Sequence, residues 1–167
     1  MNSLVSLKDI VENYSEELKY LPLSEIVNLQ ALLEDIRNRP KSIWDLETKD
    51  GKTYYRLYGA GNIVIESFSA KCDEDARDMG NAFLTREEAE FERERRKIEA
   101  IMKKYSRPFE WSGENWSIDY SYYRLLITSN VNVYNSGIPY FESREMAQKV
   151  IDEIGEDRLI KYWFGVK

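Results

Sequence analysis

The four residues "YYRL" stand at Tyr54–Leu57 and again at Tyr122–Leu125. A second agreement follows each copy. "FLTREEA" at Phe83–Ala89 and "FESREMA" at Phe141–Ala147 share the pattern Phe-x-[Thr/Ser]-Arg-Glu-x-Ala. Between the blocks, Asn62 matches Asn130, and Ile63 and Ile65 match Val131 and Val133, with a longer loop in the first copy. Two blocks repeated in the same order read as a tandem duplication. That limits the fold, because whatever unit the first copy builds is expected again from the second.

Local signals give the expected unit. "SIWDLET", "TYYRLY" and "IVIESF" read as three antiparallel strands, turning at Asp50-Gly51 and at "GAGN". "SAKCDEDARDMGN" reads as a polar loop. Thr85 and Glu88 form a capping box that opens a helix to about Tyr105, with Ile98, Ile101, Met102 and Tyr105 on its apolar side. After Arg107-Pro108 the order repeats. "FEWSGENWSIDY", "SYYRLLI" and "VNVYNS" are expected as strands, with a turn at "TSN". A helix capped by Ser143 then carries Ala147, Val150, Ile151 and Ile154, and Gly155 is its C-terminal stop.

The chain before these copies has a helical period. Leu7, Ile10, Val11, Tyr14, Leu18 and Leu21 share one face up to Pro22. Ile26, Leu29, Leu33 and Ile36 share another up to Pro40. A helical hairpin is expected, serving either as a core pair or as a partner-binding pair. The whole is therefore an α+β protein. A hairpin over 1–40 precedes two tandem antiparallel β-meander–helix modules, at 41–107 and 108–167.

Composition narrows the chemistry. The 167 residues include no histidine, which removes the commonest general base and metal ligand, and with it any His-based triad. Cys72 is the only cysteine, so there is neither an internal disulfide nor a cysteine zinc cluster, and a cytoplasmic setting follows. "MNSLVSLKDIVENY" lacks the pattern of a secretory signal, and no apolar run is long enough for a membrane span. "GAGN" lacks the Lys-Ser/Thr of a phosphate loop, and "DEDARD" at Asp73–Asp78 lacks EF-hand spacing and reads as a solvated acidic loop. No catalytic residue, metal ligand or cofactor is expected. The formal net charge of −6 disfavours nucleic acid and favours a protein partner with a basic surface.

Strand alternation divides the repeated motif into two faces. Tyr55, Leu57, Tyr123, Leu125 and Ile127, with Ile63, Ile65, Val131 and Val133, would make the side each helix covers. Tyr54, Arg56, Tyr58, Tyr122 and Arg124 would make the other side. Three uses are open for this Tyr/Arg face: a seam between the modules, a partner-binding surface, or a platform for stacking bases.

"GNAFLTREEAE" at Gly80–Glu90 and the C-terminal "YFESREMAQKVIDEIGEDRLIKYWFG" resemble a group of small proteins from phages, prophages and mobile elements of Gram-positive bacteria. In that group an aromatic strand pair precedes a Gly-Asn-x-Phe-x-Thr-x-Glu-Glu-Ala helix start. The resemblance covers roughly 43–167, and its motifs are structural. The second copy has Pro139-Tyr140 in place of Gly-Asn. The resemblance implies a non-catalytic inhibitor that works in the host bacterial cytoplasm by binding a host-defence protein, a CRISPR effector foremost. The alternative is a nucleic-acid-binding accessory protein that uses the Tyr/Arg face.

Overall fold

A computed structural model describes residues 31–34 and 36–166. The chain divides into two compact units, Met1–Lys41 and Ser42–Lys167. In the first, residues 31–34 and 36–38 are helical. The rest of the expected helical hairpin lies outside the described residues.

The second unit mixes helices with two small antiparallel sheets. In the first sheet β1 (Thr53–Leu57) is central, flanked by β2 (Ile63–Ser67) and the two-residue β3 (Ala82–Phe83). Tyr54 pairs with Glu66 across β1–β2, and Tyr55 pairs with Phe83 across β1–β3. The second sheet is a hairpin of β4 (Asn115–Ser121) and β5 (Arg124–Asn130). Isolated bridges lay Tyr140 beside Arg107 and Phe141 beside Trp116 on the free edge of β4. Helix α1 is Lys71–Asp78, α2 is Arg86–Tyr105, and α3 is Arg144–Ile154. A short helical turn at Glu156–Arg158 and a π turn at Leu159–Trp163 complete the chain.

Each hairpin is followed by an edge segment ending in Phe and by a capped helix, but only the first has a helix, α1, between hairpin and edge segment. The helix entries match in detail. The Thr85 hydroxyl accepts the Glu88 amide at 3.2 Å, and the Ser143 hydroxyl accepts the Met146 amide at 3.2 Å. Ala89 and Ala147, the last residues of the shared pattern, are both fully buried. Small residues there let each helix lie close to its sheet.

The "YYRL" copies do not match. The first forms most of β1. In the second, Tyr122 and Tyr123 are the two turn residues between β4 and β5, and only Arg124 and Leu125 enter a strand. The tetrapeptide agreement therefore has no counterpart in the structure. Other expected elements also change. "SIWDLET" holds 3-10 turns at Ile43–Asp45 and Thr48–Asp50 rather than a strand. Asp45 accepts the Ser42 amide at 2.9 Å and Ser42 accepts the Trp44 amide at 3.2 Å, so local side-chain bonds outcompete a ladder. "VNVYNS" is not a strand, because β5 runs on through the expected turn to Asn130. Ile65, Val131 and Val133 are more than half exposed and lie outside the core.

The acidic segment is helix α1. Asp73 accepts the Ser69 and Ala70 amides at 2.9 and 2.8 Å, which satisfies its N-terminus. At its C-terminus the Asn81 amide reaches the Ala76 carbonyl and the Gly80 amide reaches the Arg77 carbonyl, with Gly80 at φ +68°. That is the Schellman pattern, which places glycine in the left-handed position. Arg96 of α2 then donates to the Gly80 carbonyl and to Asn81 Oδ1, each at 2.7 Å, and fixes this corner.

Two apolar clusters lie within this unit. Tyr54, Phe68, Ala76, Ala82 and Leu46 pack between the first sheet and α1. The larger cluster joins Ile118, Phe141, Ala147, Val150, Ile154 and Leu159 to Ile98 and Met102 of α2. The helix expected to serve the first module therefore supplies core to the second sheet as well. Phe141→Ala should lower the unfolding free energy by about 3–5 kcal/mol in urea titration, because it empties the centre of that cluster. Gly80→Ala should cost about 1–2 kcal/mol through its positive φ alone, since an added Cβ meets nothing nearer than Arg96 Nη2 at 3.9 Å.

Candidate functional site

The five Tyr/Arg residues fall into two separate groups. Tyr54 and Arg56 of β1, with Tyr58 just beyond its end, converge on Glu66 and Asp73. The Tyr54 hydroxyl lies 3.0 Å from Glu66 Oε2 and 2.9 Å from Asp73 Oδ1. Its single proton serves one carboxylate at a time. Arg56 donates to Glu66 Oε2 at 3.2 Å and stands 3.8 Å from Asp73. Tyr58 donates to the other Glu66 oxygen, and its ring lies 5.0 Å below the Arg56 guanidinium. Strand register brings these groups together, since Tyr54 and Glu66 are direct cross-strand partners.

Helix α1 decides what this face can do. Ala76 packs on Tyr54 and Phe68, while the Tyr54 and Phe68 rings meet edge to face at 5.5 Å. Tyr54 has no exposed surface, so it cannot stack a base or anchor a partner. Of this face Tyr54 is fully buried and Arg56 half-buried, while Tyr58 at its end stays exposed. The face is a polar lock between the first sheet and α1. The lock also accounts for the acidic loop expected at Asp73–Asp78: Asp73 turns inward to cap the helix and meet Tyr54. Among the described residues no group of three acidic, cysteine or histidine side chains is placed to hold a metal ion.

Tyr122 and Arg124 belong to the tip of the β4–β5 hairpin. Ser121 pairs with Arg124 across a two-residue loop, and both loop residues have positive φ, 51° at Tyr122 and 63° at Tyr123. These are the marks of a type I′ turn, whose preferred sequence is Asn-Gly. An L-residue with a bulky side chain is disfavoured there by about 1–2 kcal/mol. Tyr122 is 85% exposed and Tyr123 is 93% exposed. Neither they nor Arg124 make a side-chain hydrogen bond or ion pair among the described residues.

The strands below hold this tip in place. Thr128 donates to Asp119, and the Ser117 hydroxyl lies 3.1 Å from Thr128 Oγ1 and accepts from Asn130 Nδ2 at 3.1 Å. At the far end, buried Asn115 accepts the Glu110 amide at 2.8 Å and donates to the carbonyls of Glu110 and Gly113 at 2.8 and 3.0 Å. Beneath the tip, Tyr120 meets Phe164 at 5.8 Å, and Leu125 packs against the larger core cluster. Tyr123, read from alternation as a core residue, is the most exposed of the large apolar side chains among the described residues. Only a recognised turn could have placed it outside, and Tyr-Tyr is not a turn signature.

Hydrogen bonding shifts the titration of the lock. The Tyr58 hydroxyl foremost, then Tyr54 and Arg56, hold the Glu66 carboxyl below its ordinary value of 4.5. Burial pushes Asp73 up, but the Ser69 and Ala70 amides and the Tyr54 hydroxyl outweigh it and bring the carboxyl below 3.8. Burial and the two neighbouring carboxylates raise the Tyr54 phenol. Carboxyls with depressed folded values stabilise the fold above their unfolded values and cease to do so as acid titrates them. Stability should accordingly fall as the pH drops through about 4 and below, and Glu66→Gln should make that acid limb shallower in pH-dependent urea unfolding. Tyr54→Phe should cost about 1–2 kcal/mol at neutral pH.

No described helix is long and apolar enough to cross a membrane. No family model matches the chain, and comparison with curated proteins and with solved structures likewise finds no match.

Proposed function

We propose that this is a non-catalytic binding protein that inserts the Tyr122–Tyr123 hairpin tip into a cleft of a protein partner, with Arg124 beside it. One observation carries this reading: two tyrosines stand almost fully exposed on a strained turn that Asn-Gly would form more easily. Backbone strain that local packing does not require points to use. Tyrosine and arginine are the residues that most often dominate binding energy at interfaces. A tip fixed by its strands also loses little freedom on docking.

The charge of −6 favours a partner with a basic surface and speeds its encounter. The mobile-element resemblance of Gly80–Glu90 and of the C-terminal segment supports a host-defence protein as that partner. A CRISPR effector, met in the bacterial cytoplasm, is the foremost candidate, because such proteins carry basic nucleic-acid grooves. Nucleic acid is a poorer candidate, because Tyr54 is buried and Arg56 is engaged by Glu66.

The double variant Tyr122→Asn/Tyr123→Gly separates fold from function. Its unfolding free energy should rise by about 1 kcal/mol, because the turn gains its preferred residues. Its affinity for the partner should fall by about 30-fold or more. In a plaque assay against a host with active CRISPR immunity, the wild-type protein should protect phage and the double variant should not. Equal protection by both would remove the tip from the mechanism. No protection by the wild type would remove the CRISPR reading.

A further inference from the structure

A cavity opens between the β1–β2 turn and α2. We infer that it binds a small organic phosphomonoester. The cavity has a volume of about 270 Å³ and is lined by Leu57, the Tyr58–Gly61 turn and four residues of α2: Arg93, Arg96, Lys97 and Ala100. The spacing of those four places them on one stripe of the helix. Three are cations, and the fourth is small enough to leave the space open.

The local charge balance is positive, against the sign of the whole chain. Lys97 pairs with Glu94 at 2.6 Å and Arg96 with Glu92 at 2.8 Å, so two carboxylates face three cations. Arg93 shares Glu94 with Lys97 in a longer ion pair. Its Nε stands 3.6 Å from Glu94, too far for a hydrogen bond, and is buried with no acceptor. A buried donor of this kind is costly unless something supplies an acceptor oxygen. The Arg93 stem is also held in place. Gly61, at φ +83°, brings the turn so close that an added Cβ would stand 3.6 Å from Arg93 Cδ.

The turn adds donors. Among the described residues, the Gly59 and Ala60 amides donate to no protein acceptor. Two adjacent amides without a protein acceptor, on a turn that lines the cavity together with arginine and lysine, suit a tetrahedral oxyanion better than a planar carboxylate. The cavity also exceeds the size of a phosphate group, and Leu57 and Ala100 offer it an apolar wall. An organic remainder on the phosphate would fill that part.

The test is titration of the full-length protein with inorganic phosphate and with ribose 5-phosphate at constant ionic strength, with chloride as control, read from the amide shifts of Gly59–Gly61. Both phosphates should saturate, the monoester about tenfold tighter, with dissociation constants in roughly the millimolar range or below. Arg93→Gln and Lys97→Gln should each weaken binding about tenfold. Lys97 is more than half exposed, so its variant keeps the fold and decides the matter if Arg93→Gln does not fold. Shifts that chloride reproduces, or undiminished binding in a folded variant, would overturn the site. A monoester no tighter than phosphate would overturn the organic ligand. Tyr122→Asn/Tyr123→Gly should bind phosphate normally, so this result stands or falls apart from the hairpin-tip reading.

Discussion

Burial of Ile98 and Met102 of α2 against Ile118 and Phe141 is the contact on which the rest of the Ser42–Lys167 unit depends. Each sheet is too small to be stable alone: one has two full strands and a two-residue edge, the other is a hairpin. A single long helix that contacts β1, β3 and α3 gives both sheets a shared support. The same helix turns Arg96 back to the Gly80–Asn81 corner and presents Arg93 and Lys97 to the turn cavity. Its apolar side thus serves the core while its charged stripe serves both the corner and the cavity.

The two helix entries solve one problem twice. A short edge segment must leave a sheet and start a helix without stranding amide donors. A hydroxyl cap takes the third helical amide, and an alanine lets the first turns sit close to the sheet. Phe141 is fully buried, whereas Phe83 is only partly covered. The second sheet, a bare hairpin without a third strand, therefore relies more on this wedge for its core.

Much of this architecture was legible in the residues. The Thr85–Glu88 box, the end of α2 at Tyr105, the Ser143 cap and the strands around Tyr54 and Ile63 were all readable, because each follows from local hydrogen bonding or local period. Helix α1 was not, because four carboxylates in six residues resemble a solvated loop. Its signals, Asp73 as cap and Gly80 as stop, become visible only when Ala76 and Tyr54 are seen to need each other. Once α1 is in place, Tyr54 and Arg56 lose any claim to an open surface, while Tyr122 and Arg124 keep theirs.

The sequence by itself determined the mixture of helix and sheet, the helix caps, and the lack of histidine chemistry, since these rest on composition and on contacts within a few residues. Only tertiary structure decided what each "YYRL" would be. In the first copy, Glu66 and Asp73 draw the tyrosine and arginine inward along a strand. In the second, the pairing of Asn115 through Ser121 with Asn130 through Arg124 leaves two tyrosines at the turn. Register is a property of two strands together, and one shift of register carries a side chain from the core to the solvent. Four identical residues therefore became a buried lock in one place and an exposed tip in the other.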